Sequence, residues 1–366
     1  MSVLRIDDRS PFHKLIGVGG VGSGIFFALQ GNQTLGRNES RPAELLASRD
    51  YCKLHIIMHY VARLLGSGPH GSPFTVLPVA HVGDDAAGNT VLREMSEVGI
   101  DTRCVRKATG RPTLFSVCFQ YPDGSGGNIT TSNSAASELT VGDLNEIGPE
   151  LATHAERTMA LAVPEVSLAV RRAFLEIATR AGCFRAASFV SEEITESVNS
   201  GVFGMIDLVA LNEEEAERLT GVAFDPEAGG SFTSATLGWL KCNYPELRIV
   251  ISAGRHGAYA FHQNRWGYCP APKVDVKSTA GAGDALLAGI LAGLAAGLPL
   301  FRADERLTGG DVPALKTALE LGVILASFKV QSQHTIHPEA SLHSLLDFAA
   351  RSGVDAHSGL AGLVQT

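Results

Sequence analysis

Short apolar runs alternate with segments of helical period along most of this chain, and no other feature narrows the fold as much. Residues 14–18 read as a strand and 52–65 as a helix, while 74–82 is strand-like and 86–98 helical. Segments 159–163, 166–181, 183–189, 208–211 and 213–219 continue the alternation, and 233–243 (helix) and 248–252 (strand) follow. That order builds βαβ units around a mostly parallel sheet. Two stretches break it. Residues 26–49 are polar, hold Gly and Arg and show no helical period. Residues 112–131 read as strand, turn and strand, with Pro-Asp-Gly-Ser-Gly-Gly at 122–127 as the turn. Both are expected to be β insertions rising from the sheet. A hairpin is expected about Gln263 and Asn264, a further strand at 273–276, and two long helices at 282–296 and 312–330.

The length of 366 residues would allow two domains, but no linker or internal repeat divides the chain, so a single domain over 1–366 is expected. A hydrophobic fraction of 45% supports a large core. The net charge of −8 argues against a nucleic-acid or anionic-membrane surface. The 6 cysteines include no C-x-x-C pair, which suits a reduced, cytoplasmic protein better than a disulfide scaffold or a structural zinc site. Met1 to Lys14 is charged, and no signal peptide is expected. The apolar run 285–301 is too short for a membrane span and reads as a buried helix.

The chemistry concentrates at Ser278-Thr-Ala-Gly-Ala-Gly-Asp284, which opens a helix with Leu286, Leu287, Ile290, Leu291 and Leu294 at helical spacing. Gly281 and Gly283 let the backbone bend and present N–H groups where the helix dipole is positive, a ready anion site. A carboxylate beside an anion site repels its ligand and is of little use for binding. Asp284 makes sense there as a general base, taking the proton from a hydroxyl that attacks a phosphoryl group held by the N–H cradle.

This string, followed by Ala-Leu-Leu-Ala-Gly, resembles the C-terminal signature of the PfkB (ribokinase-like) family of carbohydrate and nucleoside kinases. The resemblance implies a ribokinase-like α/β fold, a three-layer sandwich with a mainly parallel central sheet and a small β lid formed by insertions at about 26–49 and 112–131. It implies ATP and Mg²⁺, Asp284 as catalytic base, and Gly281, Ala282 and Gly283 as the anion hole. Asn212-Glu-Glu-Glu215 resembles the family's Asn-x-x-Glu segment, which implies Asn212 and Glu215 at the metal; a capped helix start would give the same pattern. Residues 251–258 resemble the turn near the ATP phosphates, which implies nucleotide contacts from Ser252, Gly254, Gly257 and Thr279. Glu165 lies in a segment like the one holding a substrate-side Glu. Residues 81–88 and 98–101 follow the family pattern in what read as structural roles, and 322–330 with 335–338 fit a tail that closes over adenine.

The first third departs from the family. The acid expected after the first strand is missing, and the place reads Gly17-Val-Gly-Gly-Val-Gly-Ser23-Gly24. A usual Gly-Gly-Lys-Gly-x-Asn appears as Tyr51-Cys52-Lys53-Leu54-His55-Ile56. The acceptor contacts expected here are Ser23, Gly24, Asn32, Lys53, His55, Arg111 and Glu165. With Arg37, Arg41 and Arg49 also near the lid, an acceptor with an anionic or unusual polar group is expected; a solvated basic lid is the plain alternative. Ser278 stands where the family signature carries an Asp that in some members helps hold a monovalent cation, which argues against K⁺ activation.

Other readings are weaker. Gly17-x-Gly19-x-x-Gly22 imitates a dinucleotide fingerprint but lacks the following helix and acid. His55 and His59 have zinc spacing without a third ligand. A catalytically silent or regulatory ligand-binding protein on the same fold is the main rival, and a nucleoside acceptor the rival within kinases. A small sugar-like acceptor is expected, with no nucleic acid or membrane partner, and a homodimer through the lid.

Overall fold

The computed structural model describes residues 2–68, 73–123, 125–225, 230–302, 315–360 and 362–365. Its strands, in chain order, are β1 (Val3–Leu4), β2 (Lys14–Val18), β3 (Gly22–Leu29), β4 (Ala43–Tyr51), β5 (Thr75–Gly83), β6 (Val105–Ala108), β7 (Leu114–Gln120), β8 (Gly126–Thr130), β9 (Thr158–Ala162), β10 (Phe184–Ser188), β11 (Leu208–Leu211), β12 (Arg248–Ser252), β13 (Ala258–His262), β14 (Arg265–Cys269) and β15 (Val364–Gln365). The helices are α1 (Lys53–Leu65), α2 (Ala86–Glu97), α3 (Gly148–Ala152), α4 (Leu168–Ala181), α5 (Ile194–Asn199), α6 (Glu213–Thr220), α7 (Ser231–Asn243), α8 (Ala282–Ala295), α9 (Ala318–Lys329), α10 (Leu342–Arg351) and α11 (Ala356–Gly359).

Nine strands form the central sheet in the order β14-β13-β12-β11-β10-β9-β2-β5-β6. It is parallel from β6 to β12 and closes with the antiparallel hairpin β13–β14, whose turn residues Gln263 and Asn264 have φ of 48° and 59°. Parallel strands with both faces covered read as continuous apolar runs, as here. Successive side chains then enter opposite cores. Leu15 and Val76 join α1, α8, α9 and α10 on one face, while Ile16 and Leu77 join α4, α6 and α7 on the other. This is the expected three-layer sandwich.

The helices begin and end where the sequence marks them. Ser167 caps α4 through the Val170 N–H, and Gly182 ends it at φ 88°. Asp85 caps α2 through the Gly88 N–H and also accepts from Thr113, tying the start of β7 to the sheet. Run 285–301 is indeed largely a buried helix, and no described helix is long and apolar enough to cross a membrane.

A separate four-stranded sheet, β4-β3-β7-β8, forms the lid. It begins at Gly22 rather than Phe26, because β3 continues almost directly from β2, so Ser23 and Gly24 are lid residues. Gly17 and Gly22 serve close packing: an added Cβ would lie 2.6 Å from Met58 Cε in α1 and 2.2 Å from the Leu114 carbonyl in β7. A strand, not a helix, follows these glycines, so the dinucleotide reading falls. Two further expectations are corrected. Residues 273–276 form no strand, since the segment leaves the sheet edge through Pro270 and Pro272. The last long helix starts at Ala318 on a Thr317–Glu320 capping box, after non-helical residues 315–317; positions 312–314 lie outside the described residues.

Candidate active site

Two cavities meet at the start of α8. The first, about 300 Å³, lies under the lid and is lined on its polar side by Asp50, Lys53, Ser116, Glu165, Thr279 and Asp284. The second, about 520 Å³, is lined by Ser252, Gly254, Gly257, Thr279, Ala282 and Gly283, and by Val323, Ala326 and Val330 of the α9 end. All four residues expected at the nucleotide therefore share one cavity. Thr335, expected at adenine, lines the lid cavity instead.

The turn between the cavities is built from its glycines. Gly281 has φ 78°, and an added Cβ would sit 2.9 Å from the Thr335 carbonyl oxygen, so any side chain there would be strained. The Ala282 N–H is committed to the Thr279 carbonyl at 3.0 Å. Among the described residues, the N–H groups of Gly281, Gly283 and Asp284 make no hydrogen bond to protein. Three free N–H groups, those of Gly281, Gly283 and Asp284, thus stand together at this turn, while that of Ala282 is taken up inside it. Free N–H groups at the start of a 14-residue helix attract negative charge.

Asp284 faces the lid cavity from the first turn of α8. Its Oδ1 lies 3.7 Å from Lys53 Nζ. Burial raises its pKa and the Lys53 charge pulls it back down. Lys53, in turn, is held charged by Asp284. Glu165 has φ 76°, strained for a residue with a side chain, and its Oε2 accepts from the Lys53 backbone N–H at 3.1 Å. That contact satisfies the first turn of α1, which Cys52 leaves without a side-chain cap. Burial pushes the Glu165 carboxyl up to about 8.

Asn212 and Glu215 form a reciprocal capping box at the start of α6. Asn212 Oδ1 accepts from the Glu215 N–H, and Glu215 Oε2 from the Asn212 N–H, each at 2.8 Å. Burial raises the Glu215 pKa, and the charges of Lys53 and Asp284 both reach it. No group of three or more His, Cys, Asp or Glu side chains able to hold a metal occurs among the described residues. A nucleotide-borne Mg²⁺ asks for less, since it keeps waters and takes one or two carboxylates. Glu215 fits that demand with Oε1, whereas the Asn212 side chain is already engaged.

The acceptor side differs most from expectation. Arg41 pairs with Glu39, Arg49 with Glu94 and Arg111 with Glu138, so these guanidiniums are spent at the surface. Asn32 accepts from the Asp123 N–H in the lid. His55 is buried in α1 away from the cavity, and burial lowers its pKa far below the usual range. Gly24 is buried behind Ser116 and Ser23 does not line the cavity. Lys53 and Glu165 alone of the expected acceptor contacts line it. The residue that was missed is Asp50. It pairs with Gly24 across β3–β4, so a carboxylate reaches this cavity from the neighbouring strand. The Ser116 hydroxyl and, at 3.2 Å, the Cys118 thiol donate to its Oδ2.

Comparison with known proteins agrees with this architecture. Residues 58–341 match the pfkB family carbohydrate kinase family, and the chain belongs to it. It is 33% identical over 123 residues, 33% of this chain and 35% of the relative, to the "Uncharacterized sugar kinase YegV" of Escherichia coli (strain K12). The match thus spans about a third of that relative's length. The fold is that of ribokinase from Cryptococcus neoformans var. grubii serotype A in complex with ADP (TM-score 0.71, 18% identity, 92% of this chain and 99% of that one). It is also that of a putative ribokinase II from E. coli in complex with ATP and Mg²⁺ (TM-score 0.69, 17% identity, 93% and 100%).

Proposed function

We propose that the protein transfers the γ-phosphoryl group of ATP to a hydroxyl of an uncharged sugar or sugar derivative. The observation that carries this is the position of Asp284: a buried carboxylate on the wall between two cavities, beside three unpartnered N–H groups. Family membership supports the reaction class, and the ADP and ATP complexes of the two structural neighbours support the nucleotide.

In this reading ATP lies in the cavity of Ser252, Gly254, Gly257 and Thr279, with its γ-phosphate toward the Gly281–Asp284 turn. Asp284 removes the acceptor proton as the hydroxyl attacks. The N–H cradle takes up negative charge on the moving phosphoryl group, a contribution of about 100-fold in rate per donor. Mg²⁺ supplies charge neutralisation at the phosphates and Glu215 is the side chain placed to hold it. Lys53 orients Asp284. Closure of the lid over the first cavity excludes water.

The acceptor's charge follows from the lining. Asp50 and Asp284 face the cavity as charged groups, Glu165 keeps its proton at neutral pH and Lys53 is already paired with Asp284, so an acceptor bearing phosphate or carboxylate would meet the Asp50 charge and find no free cation. Carboxylates suit paired hydroxyls, each charge-assisted hydrogen bond being worth about 1.5–3 kcal/mol. This replaces the anionic acceptor expected from the basic lid. The lid also presents Leu45, Phe115 and Ile129 exposed on one face by register, which suits pairing of two copies there; light scattering reads the dimer directly.

The test is MgATP turnover across neutral sugars, sugar phosphates and nucleosides, with Asp284→Asn alongside. Turnover with a neutral sugar that falls by about 10²–10⁴ in the variant is expected. Nucleotide binding without turnover on any acceptor would favour a silent, ligand-binding role.

A further inference from the structure

Lys329, the last residue of α9, has no exposed surface, and it is the one lysine in the buried interior among the described residues. Its Nζ donates to the Ser278 carbonyl at 2.9 Å. Ser278 opens the turn that carries the anion cradle. The next residue of the α9 end joins the same place: the Val330 carbonyl accepts from the N–H groups of Lys277 (2.8 Å) and Ser278 (3.2 Å). The C-terminus of α9 is therefore stitched by three hydrogen bonds to the segment that enters the phosphoryl-transfer turn. Inside the turn, the Ala280 N–H donates to Ser278 Oγ at 3.3 Å and the Ala282 N–H to the Thr279 carbonyl.

A buried ammonium with one protein acceptor is costly, and an apolar side chain would fill the space without that cost. Two features make the charge tolerable. The Asp50 and Asp284 carboxylates both act on it and favour its charged form. The helix C-terminus carries partial negative charge. Opposing them, burial depresses the ammonium to about 7, and a further negative charge nearby would favour its protonated form. The Gly281–Asp284 turn, three to six residues along the chain from Ser278, is where such a charge arrives in the proposed reaction.

We propose that the Lys329 ammonium is a built-in cation for the phosphoryl-transfer turn, fixing the Ser278 carbonyl and balancing the charge that gathers at the Gly281–Asp284 cradle, so that the protein works without a monovalent metal ion. Lys329 is a positioning residue: it acts through the turn and need not touch either substrate. The role rests on the kinase reading for its catalytic part, while its effect on nucleotide binding stands apart from turnover.

The experiment uses the full chain, Lys329→Met and Lys329→Ala, in potassium, sodium, ammonium or tetramethylammonium chloride. ATP affinity is measured by calorimetry and turnover with the best neutral acceptor. In the wild type both are expected to agree within twofold among the four salts. Lys329→Ala is expected to weaken ATP binding and lower kcat by tenfold or more, with partial recovery in potassium or ammonium and none in tetramethylammonium. Loss of a merely structural contact would not show that selective recovery. Activation or tighter ATP binding of the wild type by potassium, severalfold or more, would overturn the proposal, as would a folded Lys329→Met with wild-type ATP affinity. Should both variants fail to fold, the wild-type salt series alone decides it. Absence of turnover on every acceptor would count against the kinase reading, and the ATP-binding series would still decide the role of Lys329.

Discussion

Replacing Glu165 by Gln tests how the acceptor side is organised. Burial moves the Glu165 carboxyl from 4.5 to about 8. Between those values the folded chain holds a proton that the unfolded chain has released. The stability tied to that proton is complete at low pH and is lost as the pH rises toward 8. Each pH unit in the interval removes about 1.4 kcal/mol, so the climb from pH 5 to pH 8 removes about 4 kcal/mol at most. Glutamine keeps the shape and can still accept from the Lys53 N–H, but it does not titrate. Relative to wild type, Glu165→Gln should therefore gain stability progressively across this range, by up to about 4 kcal/mol. Urea midpoints at pH 5, 6, 7 and 8 give the measurement. A stability difference between the two proteins that varies by less than about 1 kcal/mol across the series would refute the assignment of a buried, proton-holding carboxyl.

Other perturbations follow from the same geometry. Gly281→Ala must place a side chain at φ 78° against the Thr335 carbonyl; a loss of about 1–2 kcal/mol from the left-handed backbone is expected, and a fall in kcat of about 100-fold if one cradle N–H is displaced. Arg111→Ala removes an exposed partner of Glu138; acceptor KM should stay within about twofold, and a tenfold rise would restore the lid arginines to the site. Arg171 is fully buried beside Glu193 and lies over the Phe189 ring at 5.7 Å; Glu193→Ala should cost about 3–5 kcal/mol in urea unfolding, because it strands a buried charge.

Much of the frame was legible because it is local. Strands at 14–18, 208–211 and 248–252 have the same bounds in sequence and structure, since buried parallel strands are uninterrupted apolar runs. The glycine turn at the start of α8 was legible because it and its helix are contiguous. Asp50 was not, because its place depends on β4 pairing with β3 across a 13-residue connection without helical or strand period. The lid arginines misled for the same reason. Their charges were visible, but Glu94 and Glu138, which neutralise Arg49 and Arg111, lie far along the chain from them. Nothing in the sequence marks Lys329, and only the packing of α9 against residues 277–278 shows it to be interior. Residues 273–276 have strand composition, but after Pro270 and Pro272 the chain runs off the sheet edge.

Thr335 gives the arrangement a mechanical side. Its N–H donates to the Arg49 carbonyl at 3.2 Å, its Oγ1 accepts from the Tyr51 N–H at 3.0 Å, and its carbonyl packs against Gly281. One residue thus braces the root of the lid and the back of the cradle together. Any swing of β4 loads the same support that holds the cradle amides in register. An empty site with its lid displaced would hold a slackened cradle, and hydrolysis of ATP in the absence of an acceptor would be restrained by the same joint that admits the acceptor.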